Sequence, residues 1–266
     1  MARPARSKRE EFRGGMRSAA LMHQLASRLG AKNPYHFARL FDDETGLDTK
    51  WTGKWRKNFN GEKPLSEGQL RLLSCLDPSI TRLHEEGPSN LWIALWGDVS
   101  DLWTLCRTRY CSVFDDRLWS QIDSEYEFST ERNRHGALRV LEDEITAAED
   151  YGEPLFLSHL TESIMLYRLF CHANIASPDK PGVQAYRCIH RCLDSIDIWY
   201  ELDQLGIFYG VREEVTEMEI CRLGREARYR DELGLEMHQI ALYADEPLAW
   251  VPVPRAKRDV LRDIIF

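Results

Sequence analysis

PYHFARLFDDETGLDTKWTGKWRKNFNGEKPLSEGQLRLLSCLDP, residues 34–78, is the stretch whose reading decides the fold. Asn33 just before it is a good helix cap, and Pro34 suits a first helical position. A helix is expected through Tyr35, Phe37, Ala38 and Phe41, ending near Gly46. A short turn leads to Asp48 or Thr49, which can cap a next helix. There Trp51, Trp55 and Phe59 recur every four residues and form one apolar stripe. Gly61 stops it. Pro64, Leu65 and Ser66 introduce a further helix with Leu70, Leu73 and Leu76 on one face, closed by Asp77 and Pro78.

Upstream, Leu21, Leu25 and Leu29 predict a first helix from Met16, stopped by Gly30. Residues 1–15 carry Arg3, Arg6, Lys8, Arg9 and Arg13 with Pro4 and the pair Gly14-Gly15, and are expected to form a flexible basic arm. Downstream, Gly87-Pro88-Ser89 marks a boundary. NLWIALWGDVSDLWTLC then places Trp92, Leu95, Trp96, Val99, Leu102, Trp103 and Cys106 at helical spacing over 90–106. Further helices are predicted at about 136–151, 155–174, 183–205 and 212–243, with one possible extended piece at Ala249–Val253. No repeat survives inspection. The expected architecture is all-α: an arm at 1–15, a small helical module at 16–86 and a larger helical domain at 87–266.

Residues 34–78 resemble the Cro/C1-type (XRE-like) helix-turn-helix domain. In that pattern a helix, a tight turn and a recognition helix ending in a core residue are followed by a Gly, a Pro and a Leu-rich helix. Phe37–Glu44, Gly46–Thr49, Lys50–Asn58 with Trp55, then Gly61, Pro64, Leu70, Leu73 and Leu76 supply those parts. The likeness covers about a sixth of the chain. Five residues separate Trp55 from Gly61, more than such domains usually have, so an extended or differently stopped recognition helix is expected.

The residues fit that expectation on their own chemistry. In a helix beginning at Thr49, Trp51 and Trp55 face the core as anchors. Lys50, Gly53, Lys54 and Lys57 then fall on other faces. Such a helix fits a major groove, where lysine donates to guanine O6 or N7 and a small residue like Gly53 allows close approach. Arg56, Lys57 and Asn58 suit phosphate contacts, and the amides opening the helix at Asn33–Tyr35 suit another phosphate. The expected DNA-contacting set is therefore Asn33, Tyr35, Thr49, Lys50, Gly53, Lys54, Arg56, Lys57 and Asn58.

Charge divides along the same line. Residues 1–77 hold 15 Lys and Arg against 9 Asp and Glu, whereas the remainder carries a balance of −14. A basic head on an acidic body suggests that the head alone meets a polyanion. At 43% hydrophobic and 29% charged the chain has a globular composition, and no run approaches the ~20 apolar residues of a membrane span. The basic N-terminus precedes no apolar core of a secretory signal, so a cytoplasmic location is expected. Seven cysteines, an odd number without a CxxC pair, read as reduced thiols.

Chemistry-bearing constellations are weak. On a helix Cys188 and Cys192 share a face while His190 points away, too few ligands for zinc. His159 with Glu162 lacks a third ligand. The acidic run Glu142, Asp143, Glu144, Glu149 and Asp150 reads as a solvated face. No nucleotide-binding or metalloprotease motif occurs, so neither an enzyme nor a cofactor is expected. The expected function is sequence-specific binding of double-stranded DNA by a bacterial-type transcriptional regulator acting as a homodimer. The tryptophan-rich helix at 90–106 would serve as junction or dimer contact. The alternative is a non-catalytic subunit of a larger nucleoprotein or defence assembly, its acidic body docking a protein partner.

Overall fold

The computed structural model describes residues 7–102, 105, 131–173 and 183–232. Within them every regular element is helical and no strand occurs, so the fold is all-α. The extended piece expected at Ala249–Val253, the end of the helix expected to reach 243, and residues 1–6 of the arm lie outside the described residues.

Helix α1 spans Lys8–Arg28. It corrects the expected arm, which is helical from its eighth residue. Ser7 accepts the Glu10 amide, and the Glu10 carboxylate accepts the Ser7 amide at 2.7 Å, a reciprocal cap that sequence reading passed over. Gly14-Gly15 is a close-packing surface here and not a breaker. A Cβ on Gly15 would lie 2.1 Å from the Gly61 carbonyl oxygen, and one on Gly14 2.9 Å from Pro64. Ser18 locks the same approach, accepting the Leu65 amide at 2.7 Å while donating to the Gly14 carbonyl. Gly15→Ala should therefore lower stability by about 1–3 kcal/mol through overpacking against backbone. Gly68→Ala, on an open helical site, should raise it by up to about 1 kcal/mol. Urea denaturation of the two variants checks the contrast, and equal midpoints would refute the packing role of Gly15.

The head continues as expected through α2 (Pro34–Thr45), capped by the Asn33 side chain on the His36 amide and ended by a left-handed Gly46. Next come a 3-10 turn (Lys50–Thr52) and the single turn α3 (Arg56–Phe59). Helix α4 (Glu67–Leu73) has a reciprocal Ser66–Gln69 cap. The chain then turns at Asp77 into α5 (Ile80–Glu86), a helix not anticipated. Its core joins Leu21, Met22 and Leu25 of α1 to Phe37, Phe41, Trp55, Phe59, Leu65, Leu73 and Ile80.

The body holds α6 (Leu91–Trp96), α7 (Glu131–Tyr151), α8 (Leu157–Ala173), α9 (Val183–Asp194), α10 (Ile196–Gln204) and α11 (Phe208–Glu232). Two expected helices are interrupted. The 90–106 helix breaks at Gly97, and the 183–205 helix breaks at an extended Ser195 whose amide returns to the Arg191 and Cys192 carbonyls. Trp92 is buried inside the chain and stacked on Trp96 at 4.9 Å, so these two rings of the expected tryptophan stripe pack where head meets body. Trp103 lies outside the described side chains.

Helix α1 contributes to both cores, that of the expected head at 16–86 and that of the body from 87 on. Its Met16, Ala19 and Ala20 pack with the body. The Met16 sulfur sits where a Cβ on Gly210 would be, and His23 lies over Gly206. Above these contacts, buried Glu214 of α11 accepts from Arg13 at 2.8 Å, Arg9 at 3.3 Å and the Trp96 indole at 2.9 Å. Arg13 and Arg17 also lie over the Trp96 ring, each at 5.2 Å. A helix with two apolar faces and a basic edge thus ties the two parts together.

Candidate nucleic-acid interface

The exposed basic part of the head is organised by a residue that carries no positive charge. Asp42 faces inward near the end of α2 beside Phe41, and its carboxylate is buried. It accepts the Thr49 amide at 2.8 Å, the Thr49 hydroxyl at 2.7 Å and the Lys50 amide at 2.9 Å. Burial alone would push this carboxyl up, but the bonds from Thr49 and Lys50 and the Lys50 charge outweigh it and hold it below the usual range. Thr49 in turn accepts the Trp55 indole N–H at 3.0 Å.

This anchoring changes the segment expected to be one helix. Where one helix from Thr49 to Asn58 was expected, Lys50–Thr52 makes a 3-10 turn, Gly53 turns left-handed at φ 56°, and only Arg56–Phe59 is α-helical. The expected stripe breaks with it. Trp55 is core at 1% exposure, edge-on to Phe37 and Phe41, and Phe59 is core with it. Trp51, expected in the core, stands 74% exposed.

The proposed contact residues separate into two groups. Thr49 is buried under Asp42, and Asn58 is buried, donating to the Lys63 carbonyl at 2.8 Å and accepting from Gln69 at 2.9 Å. Both are structural, which removes them from the contact set. The Asn33 side chain accepts the His36 amide at 2.8 Å, which satisfies that amide within the protein. Gly53 meets nothing within 4 Å of a Cβ, and its left-handed backbone, not close approach, is what calls for glycine. Tyr35 is exposed at the start of α2. Lys54, Arg56 and Lys57 are exposed and Lys50 half-buried, all four within eight residues around Trp51. Lys50 Nζ lies 5.5 Å from the Trp51 ring, and Lys54 Nζ lies 5.6 Å from the Trp55 ring. Among the described residues no ion pair engages Lys54, Arg56 or Lys57. Acids are close in sequence, since Asp43, Glu44 and Asp48 are also exposed.

Sequence reading missed Asp42. Its only signal is a carboxylate set directly after Phe41 on the apolar side of a helix, which makes sense once Thr49 is folded against it.

The body offers no rival centre among the described residues, where no group of three or more His, Cys, Asp or Glu is placed to hold a metal. Cys188 and Cys192 are buried thiols, each pushed up to about 12, first by burial. His159 accepts the Phe156 amide at 3.0 Å and stands 4.0 Å from Glu144, while Glu162 is buried separately. Glu149 pairs with Arg191 at 2.5 Å, as suits a solvated face. A buried Tyr167–Glu219–Arg222 chain binds α8 to α11. No described helix is long and apolar enough to cross a membrane. Comparison with protein families, with curated proteins and with solved structures finds no match for this chain.

Proposed function

We propose that this protein binds double-stranded DNA through the turn at 50–57 of its basic head. The observation that carries the reading is the cluster of Lys50, Lys54, Arg56 and Lys57, displayed on a turn braced by Asp42. Phosphate contacts by such cations set position and affinity without reading sequence. Base readout by a long recognition helix is not part of the proposal, because the helix is broken at Gly53. A role in transcriptional regulation, with two copies pairing to cover two half-sites, extends the reading, since one small module covers little DNA.

The triple variant Lys54→Ala, Arg56→Ala, Lys57→Ala should bind duplex DNA more weakly. Its plot of log affinity against log salt should be shallower by about 2–3 units, each lost phosphate contact contributing about 0.9. Fluorescence anisotropy over a salt series checks this. A slope equal to that of the parent would sink the assignment of the turn.

A second reading, docking of a protein partner by the acidic body, is favoured by one surface. Helix α10 leaves Ile196, Trp199 and Tyr200 exposed, rimmed by exposed Asp194, Asp197, Glu201 and Asp203. That rim suits a basic partner surface better than a second copy of itself.

A further inference from the structure

We infer that Trp51 inserts into the base stack of duplex DNA, so that binding unstacks one step and bends the helix; the inference rests on the DNA-binding reading above. Trp51 contributes little to the core. At 74% exposure it stands outside, while Trp55, four residues on, fills the interior. Large aromatics left in water forgo the burial that makes them valuable, and they are the residues that dominate binding surfaces.

The way the ring is held argues for contact and not for accident. On one side the backbone is fixed by the Thr49 and Lys50 amides on the Asp42 carboxylate. On the other side Gly53 reverses the chain, and Trp55 anchors the turn to Thr49 through its indole N–H. A ring presented on a braced turn loses little freedom on binding.

The surroundings choose the partner. No acid lies between Thr49 and Phe59, whereas Lys50, Lys54, Arg56 and Lys57 do, with the Lys50 ammonium beside the ring itself. Nucleic acid is the polymer that offers anionic groups and flat π faces within one side chain's reach. The element is a turn tip three residues long, too short to lie along a major groove as a helix. A protruding apolar wedge flanked by cations matches the way minor-groove binders pry open a base step. Flexible pyrimidine–purine steps should accept the wedge best, giving a sequence preference without base-edge hydrogen bonds.

The test uses the full-length protein and a duplex with a central TA step beside a 2-aminopurine, its ends carrying a donor–acceptor pair. The parent should raise 2-aminopurine fluorescence and shorten the end-to-end distance. Trp51→Ala should abolish both signals and weaken binding roughly tenfold or more, while the salt slope stays as in the parent because the cations remain. Trp51→Phe should keep part of both. Equal melting temperatures of parent and Trp51→Ala control for folding, as suits an exposed side chain. If Trp51→Ala binds and unstacks the duplex like the parent, the inference falls and the DNA reading stands. If the parent binds no duplex, both fall. Tighter, Trp51-dependent binding to the single strand than to the duplex would replace insertion by stacking on an unpaired base and so overturn the inference.

Discussion

Trp55→Ala is expected to destabilise the protein by about 3–5 kcal/mol, the range for deleting a fully buried large aromatic. The ring is 1% exposed and lies 6.0 Å from Phe37 and 5.3 Å from Phe41, centroid to centroid, both edge-on. Removing it opens a void between α2 and α3 that a four-residue helix is too short to close. The Thr49 hydroxyl also loses the indole donor, and with it part of the brace on the 50–57 turn. Trp55→Phe separates these effects. It keeps most of the packing and loses the hydrogen bond, and should cost about 1–2 kcal/mol. Chemical denaturation of both variants, read by far-UV circular dichroism, gives the ranking. A Trp55→Ala protein as stable as the parent would mean that the ring is not the anchor of the head.

The second large effect is expected at the junction. Glu214→Gln should cost about 2–3 kcal/mol. Breaking a buried ion pair costs more than that, but Arg9 and Arg13 are 47% and 31% exposed and can recover water, which lowers the figure. The substitution keeps the shape and removes the charge on which both arginines and the Trp96 indole converge. α1 should loosen from α11 before the head core melts, and hydrogen exchange should rise first in residues 8–20.

The same substitution changes acid stability with a definite sign. Burial pushes the Glu214 carboxyl up, but hydrogen bonds from Arg13, Trp96 and Arg9 together with the Arg13 charge more than reverse this, leaving it below its ordinary range. A carboxylate depressed on folding stabilises above its unfolded value, near 4.5, and that contribution is lost as pH falls further. His84 acts at higher pH. Burial, then the charge of Arg17, lowers it from 6.5 to about 4. The folded state thus disfavours its protonation, and stability falls between pH 6.5 and 4. The parent should therefore lose stability in two stretches, first through His84, with half-buried His23 and His190 lowered in the same direction, and then below about 4.5. Glu214→Gln should retain the first and flatten much of the second. Asp42, depressed in the same way, keeps some slope in both proteins. Urea midpoints from pH 7 to 3 check the pattern, and parallel profiles would remove Glu214 from the account of acid stability.

Much of the helical layout is legible because it is local chemistry. The Asn33 cap with Pro34, the left-handed Gly46, the stop at Gly61 and the Ser66 start each need only neighbouring residues. Leu21, Leu25, Phe37, Phe41, Trp55 and Phe59 show their burial through spacing of three or four. Buried, unpaired cysteines at 188 and 192 are likewise readable from composition and position. The candidate interface is legible as a basic segment, and not as geometry.

By itself, then, the sequence determined that this protein is all-α, where several of its helices start or stop, and that its positive charge gathers at one end. Tertiary structure decided the rest. The Asp42 carboxylate, in the interior, offers Thr49 and Lys50 stronger bonds than an isolated helix start would, so the expected helix gives way to a turn and Trp51 swings outward. Gly14-Gly15 reads as a breaker until the Gly61 carbonyl occupies the space where the Gly15 side chain would be. The basic arm reads as solvent-bound until Glu214, some two hundred residues away, supplies its counter-charge. In each case the deciding partner is distant along the chain, and helical spacing and capping carry no information about it.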